Sequence, residues 1–223
     1  MPYYPVFLDL RGRKVLVVGG GTVAQRKVET FLEFGGSVFI TARELTETLK
    51  GHVEEGRIRF AGKEFREDDL QDAWMVVAAT DDPDANRRVS ECARQRGILV
   101  NAVDQPSDCT FIVPSVLRRG DLVIAVSTSG KSPALARRVR EQLEQIFGAE
   151  YESFLILMGL LREEILSRGL SLEERSEIFR DLVQSDLLER IRSGDWAGAA
   201  STLNRITGTT LSPLDMKKTI EVT

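Results

Sequence analysis

Apolar residues run unbroken from Val15 to Val18 and stop at three glycines, the pattern of a strand covered on both faces. Val23, Ala24, Val28, Phe31 and Leu32 then recur at helical spacing until Gly35-Gly36 closes the stretch. The same alternation continues. Ser37 to Thr41 reads as a second strand, Leu45 to Lys50 as a short helix, and Arg57 to Ala61 as a third strand. Trp74 to Ala79 is a fourth strand, Asp84 to Arg96 a helix ended by Gly97, and Ile98 to Val103 a fifth strand. Strands alternating with helices predict a parallel sheet with right-handed crossovers.

Beyond that point the pattern changes twice. Thr110 to Val113, Ser115 to Leu117 and Leu122 to Val126 are strand-like with little room for helices between them, and Arg119-Gly120 suits a turn. A polar loop, Ser127 to Lys131, leads to Ser132-Pro133, a good N-cap followed by proline at the first helical position. Leu135, Ala136, Val139, Leu143 and Ile146 form the apolar face of that helix, which Gly148 ends. From Glu150 onward apolar residues recur only at three and four, as in Phe154, Leu157, Leu161 and Ile165, which predicts a helical bundle with a frayed tail after Ile206. Three divisions follow: 1–113, 114–148 and 149–223.

Composition narrows the class. With 42% hydrophobic and 29% charged residues the chain has enough apolar surface to fold, which excludes a disordered protein. No apolar run approaches the ~20 residues that span a bilayer, and the first ten residues lack the basic start and apolar core of a signal peptide. A cytoplasmic location is expected. Cys92 and Cys109 are spaced like neither a disulfide framework nor a zinc clip, and with His52 the single histidine, no metal cage is expected. A net charge of −4 argues against a nucleic-acid partner. Charge is uneven, however. Arg118, Arg119, Lys131, Arg137, Arg138 and Arg140 face a single acid, Asp121, over 118–140, a local stripe suited to a polyanion or simply to solvent.

The glycines carry the chemistry. Gly19, Gly21 and Ala24 form G-x-G-x-x-A between a strand and an amphipathic helix. Gly19 permits the tight turn, Gly21 lets a pyrophosphate approach the backbone, and Ala24 lets helix and strand pack closely. The helix end at Thr22-Val23 offers amides to phosphate oxygens. The prediction is a Rossmann-type, dinucleotide-binding α/β domain, followed by a small β-rich segment and a C-terminal helical region. The ribose-binding acid expected ~20 residues on is not clearly present. Glu44 suits a ribose and Arg43 a 2′-phosphate, so the residues leave NAD and NADP open.

Ala125 to Ser132 resembles a phosphate-binding nucleotide loop, but Ala125 replaces its first glycine and Pro133 removes an amide just after it. An anion site built from Ser127, Thr128, Ser129 and Lys131 is the better reading. Ligands of open parallel sheets bind beyond the carboxyl ends of strands. That rule puts Asp104, after the fifth strand, and Thr80, Asp81 and Asp82, after the fourth, beside the cofactor. Asp104 is the candidate general base for a dehydrogenation; a loop-capping aspartate is the plainer alternative. Asp82 also suits the start of the following helix.

Gly19 to Lys27, Ala78 to Asp82 with Asn86, Val100 to Asp104, Phe111 to Ser115 and Ser129 to Arg137 occur in an order and spacing that resemble the precorrin-2 dehydrogenase family, the dehydrogenase/chelatase module of siroheme synthases. The resemblance covers about residues 3–205. It implies NAD-dependent oxidation of precorrin-2, a tetrapyrrole, to sirohydrochlorin by a homodimer whose central strands and helical regions interlock. Asp104 falls on the family's catalytic aspartate; Thr22-Val23 and Arg43-Glu44 fall on its cofactor contacts. Substrate carboxylates would meet Ser127, Thr128, Ser129, Lys131 and Arg137, and at Thr128 some members carry serine. Some members also insert iron into sirohydrochlorin. The methyltransferase domain of longer siroheme synthases is expected to be absent from a chain ending at Thr223. The competing readings are a non-catalytic NAD-sensing protein and a chelatase alone.

Overall fold

The computed structural model describes residues 3–222, with side-chain surroundings up to residue 220. It divides into two compact units, one ending at Val113 and the other starting at Pro114. In the first unit five parallel strands, β1 (Lys14–Val18), β2 (Ser37–Thr41), β3 (Arg59–Gly62), β4 (Met75–Ala78) and β5 (Leu99–Ala102), lie in the order β3-β2-β1-β4-β5. That order reverses direction between β1 and β4, the switch point at which doubly wound sheets bind ligands. Val15, Val17, Met75 and Val77 pack into one core; Leu16, Val18, Val76 and Ala78 pack into the other. Burial on both faces is why these strands read as unbroken apolar runs.

The crossover helices are α1 (Thr22–Glu33), α2 (Glu47–Glu54) and α3 (Pro83–Gln95). The α2 helix begins later and ends later than its apolar pattern suggests. Thr46 caps it by accepting a hydrogen bond from the Leu49 amide, so helical geometry starts at Glu47 and runs on through Gly51. Asp82 caps α3, its carboxylate accepting from the amides of Asp84 and Ala85, with Pro83 at the first helical position.

The expected strand at Thr110 to Val113 is not formed. Instead the segment lies along β5 and meets it partly through side chains. The Thr110 amide donates to the Val100 carbonyl at 2.8 Å, while its hydroxyl accepts the Val100 amide at 2.8 Å. Asn101 Nδ2 donates to the Phe111 carbonyl at 3.1 Å. These bonds replace a ladder, and Pro114 cannot donate to extend one.

In the second unit β6 (Ser115–Arg119) and β7 (Leu122–Val126) form an antiparallel hairpin through Gly120, followed by α4 (Pro133–Ile146), capped by Ser132. Helices α5 (Glu150–Ser167), α6 (Leu172–Gln184), α7 (Leu187–Ser193), α8 (Trp196–Thr207) and α9 (Pro213–Val222) complete it. Their core gathers Leu157, Ile165, Leu182, Leu187 and Leu203. The tail is not frayed: α9 sets Met216 fully inside this core. Asn204 bridges α8 to the segment before α9, donating to the Leu211 carbonyl and accepting its amide. Met216 and Ile220, four apart, both pack on that core, a single helical repeat too short to stand out in the sequence.

Candidate active site

At the end of β1 the chain turns with Gly19 at φ +126°, a conformation L side chains rarely adopt. A Cβ there would overlap the Ala79 carbonyl, and one at Gly20 would overlap the Glu44 carbonyl. These two glycines serve the protein's own packing at the carboxyl edge of β4 and β2. Gly21 differs. It has ordinary extended backbone, φ −81° and ψ −173°, and a Cβ on it would meet no protein atom within 4 Å. Nothing inside the chain requires glycine at that position. The open space lies over the start of α1, whose N-terminus has no side-chain cap. An approaching pyrophosphate would account for both features, so the residues present fit a dinucleotide.

Thr22 is exposed, Val23 half-buried and Ala24 fully buried against the core, as the close helix–strand packing demands. Past β2, Ala42, Arg43, Glu44, Leu45, Lys50 and Phe60 line an open cleft of about 410 Å³. Arg43 is exposed and pairs with Glu64 at 3.4 Å, so its guanidinium is only loosely held.

After β4, Thr80 is held by a residue that the sequence showed only as part of a motif. Asn86, 4% exposed, accepts from both the Thr80 amide (3.1 Å) and hydroxyl (2.8 Å) and donates to the Thr80 carbonyl (2.9 Å). One side-chain amide thus fixes the loop facing Gly19, much as a strand partner would. Asp81 is exposed beside it.

Asp104 lies just past β5, exposed, with φ +60°. Left-handed backbone at a non-glycine residue costs of order 1–3 kcal/mol and concentrates at functional sites. The carboxyl ends of β1 and β5 open on the same edge of the sheet with β4 between them. Two strand spacings put them roughly 10 Å apart.

In the second unit the loop 127–131 is drawn tight by its own hydroxyls. Ser127 Oγ accepts the Ser129 amide at 3.0 Å, and Thr128 Oγ1 accepts the Ser132 amide at 3.1 Å. Ser129 and Gly130 both have positive φ, so Lys131 projects from a sharply turned backbone and is exposed. The basic stripe is thinner than the sequence suggests. Arg137 pairs with Glu141, Arg140 with Glu141 and Glu144, and Arg119 donates to the Phe147 carbonyl. Among the described residues no carboxylate lies within ion-pair distance of Lys131 or Arg138.

Two family models match this chain. The family described as "Putative NAD(P)-binding" covers residues 6–115, and "Sirohaem biosynthesis protein central" covers 119–146. A siroheme synthase of Methylobacillus flagellatus is 39% identical over 206 residues, 92% of this chain and 44% of that protein. Siroheme synthase 1 of Pectobacterium atrosepticum is 38% identical over 205 residues, 92% of this chain and 43% of that protein. The chain belongs to the siroheme biosynthesis family. It spans less than half the length of these siroheme synthases. Among solved structures, SirC, a precorrin-2 dehydrogenase, matches with TM-score 0.73 and 26% identity, over 99% of this chain and 100% of that one. The stretch matched by the putative NAD(P)-binding family includes the glycine turn from Gly19 to Ala24. No described helix is long and apolar enough to cross a membrane.

Proposed function

We propose that the chain is a cytoplasmic, homodimeric dehydrogenase that uses NAD to oxidise precorrin-2 to sirohydrochlorin. The observation that carries this reading is the unfilled space at Gly21 on the sheet edge where Asp104 follows β5. The end-to-end likeness to a precorrin-2 dehydrogenase supports it. Bound NAD supplies the hydride acceptor. Gly19, Gly21, Thr22, Val23 and Ala24 form the turn that receives the pyrophosphate, with Arg43 and Glu44 toward the adenosine ribose and Thr80 and Asp81 on the other flank. The Asp104 carboxylate accepts the proton that leaves precorrin-2 as the hydride departs, so one C–H pair becomes a double bond and the macrocycle gains conjugation.

Ser127, Thr128, Ser129, Lys131 and Arg137, in the segment 114–148, take the substrate's carboxylates. Lys131→Glu raises the KM for precorrin-2 by about tenfold, the order of one lost charge-assisted contact, and leaves the NAD dissociation constant unchanged. Equal effects on both ligands would remove Lys131 from the substrate site. Incomplete burial supports the homodimer. Val116, Leu135, Ile146 and Leu160 are all exposed in the single chain. The region 149–223 provides the remaining dimer contacts.

The deciding experiment is anaerobic incubation with precorrin-2 and NAD, following NADH absorbance and the sirohydrochlorin spectrum. Both should rise together. Tight NAD binding with neither signal would favour a sensing protein instead. Sirohydrochlorin metallation by ferrous iron, without any dehydrogenation, would favour a chelatase alone.

A further inference from the structure

We propose that Cys109 is a positioning residue for Asp104, holding closed the loop on which the acid is carried. This rests on the reading of Asp104 as the base. β5 is the edge strand of its sheet, so the amides and carbonyls on its outer side have no neighbouring strand to meet. Val103 donates inward to Ala78, which leaves Val100 and Ala102 pointing outward. Thr110 satisfies Val100, as described above. At Ala102, which is almost fully buried, the partner is a sulfur atom. Cys109 Sγ accepts the Ala102 amide at 3.2 Å and lies 3.2 Å from the Ala102 carbonyl and 3.3 Å from the Gln105 carbonyl.

Those contacts fall on both sides of the acid. Ala102 is two residues before Asp104 and Gln105 is one after, so a single side chain pins both ends of the left-handed turn. Burial raises the pKa of the Cys109 thiol, which therefore keeps its proton at neutral pH and can donate while it accepts. Gln105 adds a second tie by donating to the Pro83 carbonyl at 3.2 Å. Neither tie touches Gly19, Gly21 or the start of α1. Loosening the turn should move the carboxylate without disturbing the pyrophosphate cradle.

The test is a kinetic comparison of Cys109→Ala, Cys109→Ser and Thr110→Val, with and without Asp104→Ala. Cys109→Ala should lower kcat about tenfold or more with the NAD dissociation constant unchanged, because small misplacements of a catalytic group are costly. Cys109→Ser, which can donate and accept in the same place, should recover most of that loss. Thr110→Val strips the equivalent side-chain edge contact at Val100, two residues further from the acid than Ala102; it should lower the melting temperature comparably yet leave kcat near wild type. In the Asp104→Ala background, Cys109→Ala should have no further effect on the residual rate. Full turnover in Cys109→Ala, with Asp104→Ala inactive, would overturn the positioning role alone. So would an equal kcat loss in Thr110→Val, or an undiminished Cys109→Ala effect without Asp104. Full turnover in Asp104→Ala would instead overturn the base itself.

Discussion

Exchanging Asp104 for alanine lowers the rate of NADH formation from precorrin-2 by about 10²–10⁴-fold, the usual contribution of a positioned base. The NAD dissociation constant stays the same, because Asp104 follows β5 whereas the cradle belongs to the turn between β1 and α1. Steady-state rates and a fluorescence titration with NAD separate the two quantities. A variant that turned over at the wild-type rate would return Asp104 to the status of a loop residue.

The second large effect comes from setting Gly21 against Gly19. Gly21→Asp brings a carboxylate into the space proposed for the pyrophosphate, and NAD affinity falls about 100-fold or more, roughly 3 kcal/mol. The fold is barely touched, since a Cβ at that position meets nothing within 4 Å. Its melting temperature therefore stays near wild type. Gly19→Ala does the opposite. It combines φ +126° with an overlap on the Ala79 carbonyl, and the first unit loses about 3 kcal/mol of stability. Thermal unfolding alongside NAD titration distinguishes a variant that folds without binding from one that fails to fold. If Gly21→Asp bound NAD normally, the phosphate cradle would have to lie elsewhere.

Much of this was legible in the residues because the relevant signals are local. Five strands and their crossover helices follow from apolar periodicity. The glycine turn follows from spacing, and the position of Asp104 follows from the rule that open sheets use their carboxyl edge. What escaped depends on side-chain hydrogen bonds and ion pairs between residues only four to ten apart, which apolar periodicity does not register. Thr110 to Val113 has the composition of a strand, but the hydroxyl of Thr110 and the amide of Asn101 take over hydrogen bonds that a ladder would make. Asn86 fixes Thr80 from within a helix, and Cys109 meets β5 by folding back on it, pairings of polar groups that the apolar pattern does not display. The pairing of Arg137 and Arg140 with Glu141 and Glu144, which thins the positive charge over 118–140, is not visible until the helix is drawn.

The left-handed backbone at Asp104 has a bearing on how this chain would respond to engineering. Thermostability selection blind to turnover rewards whatever relieves strain, and glycine or asparagine tolerates positive φ better than aspartate does. Heat-resistant clones collected that way should be enriched in Asp104→Gly and Asp104→Asn. They would survive heating better than their parent while turning over orders of magnitude more slowly, a trade between durability and chemistry located at one peptide unit.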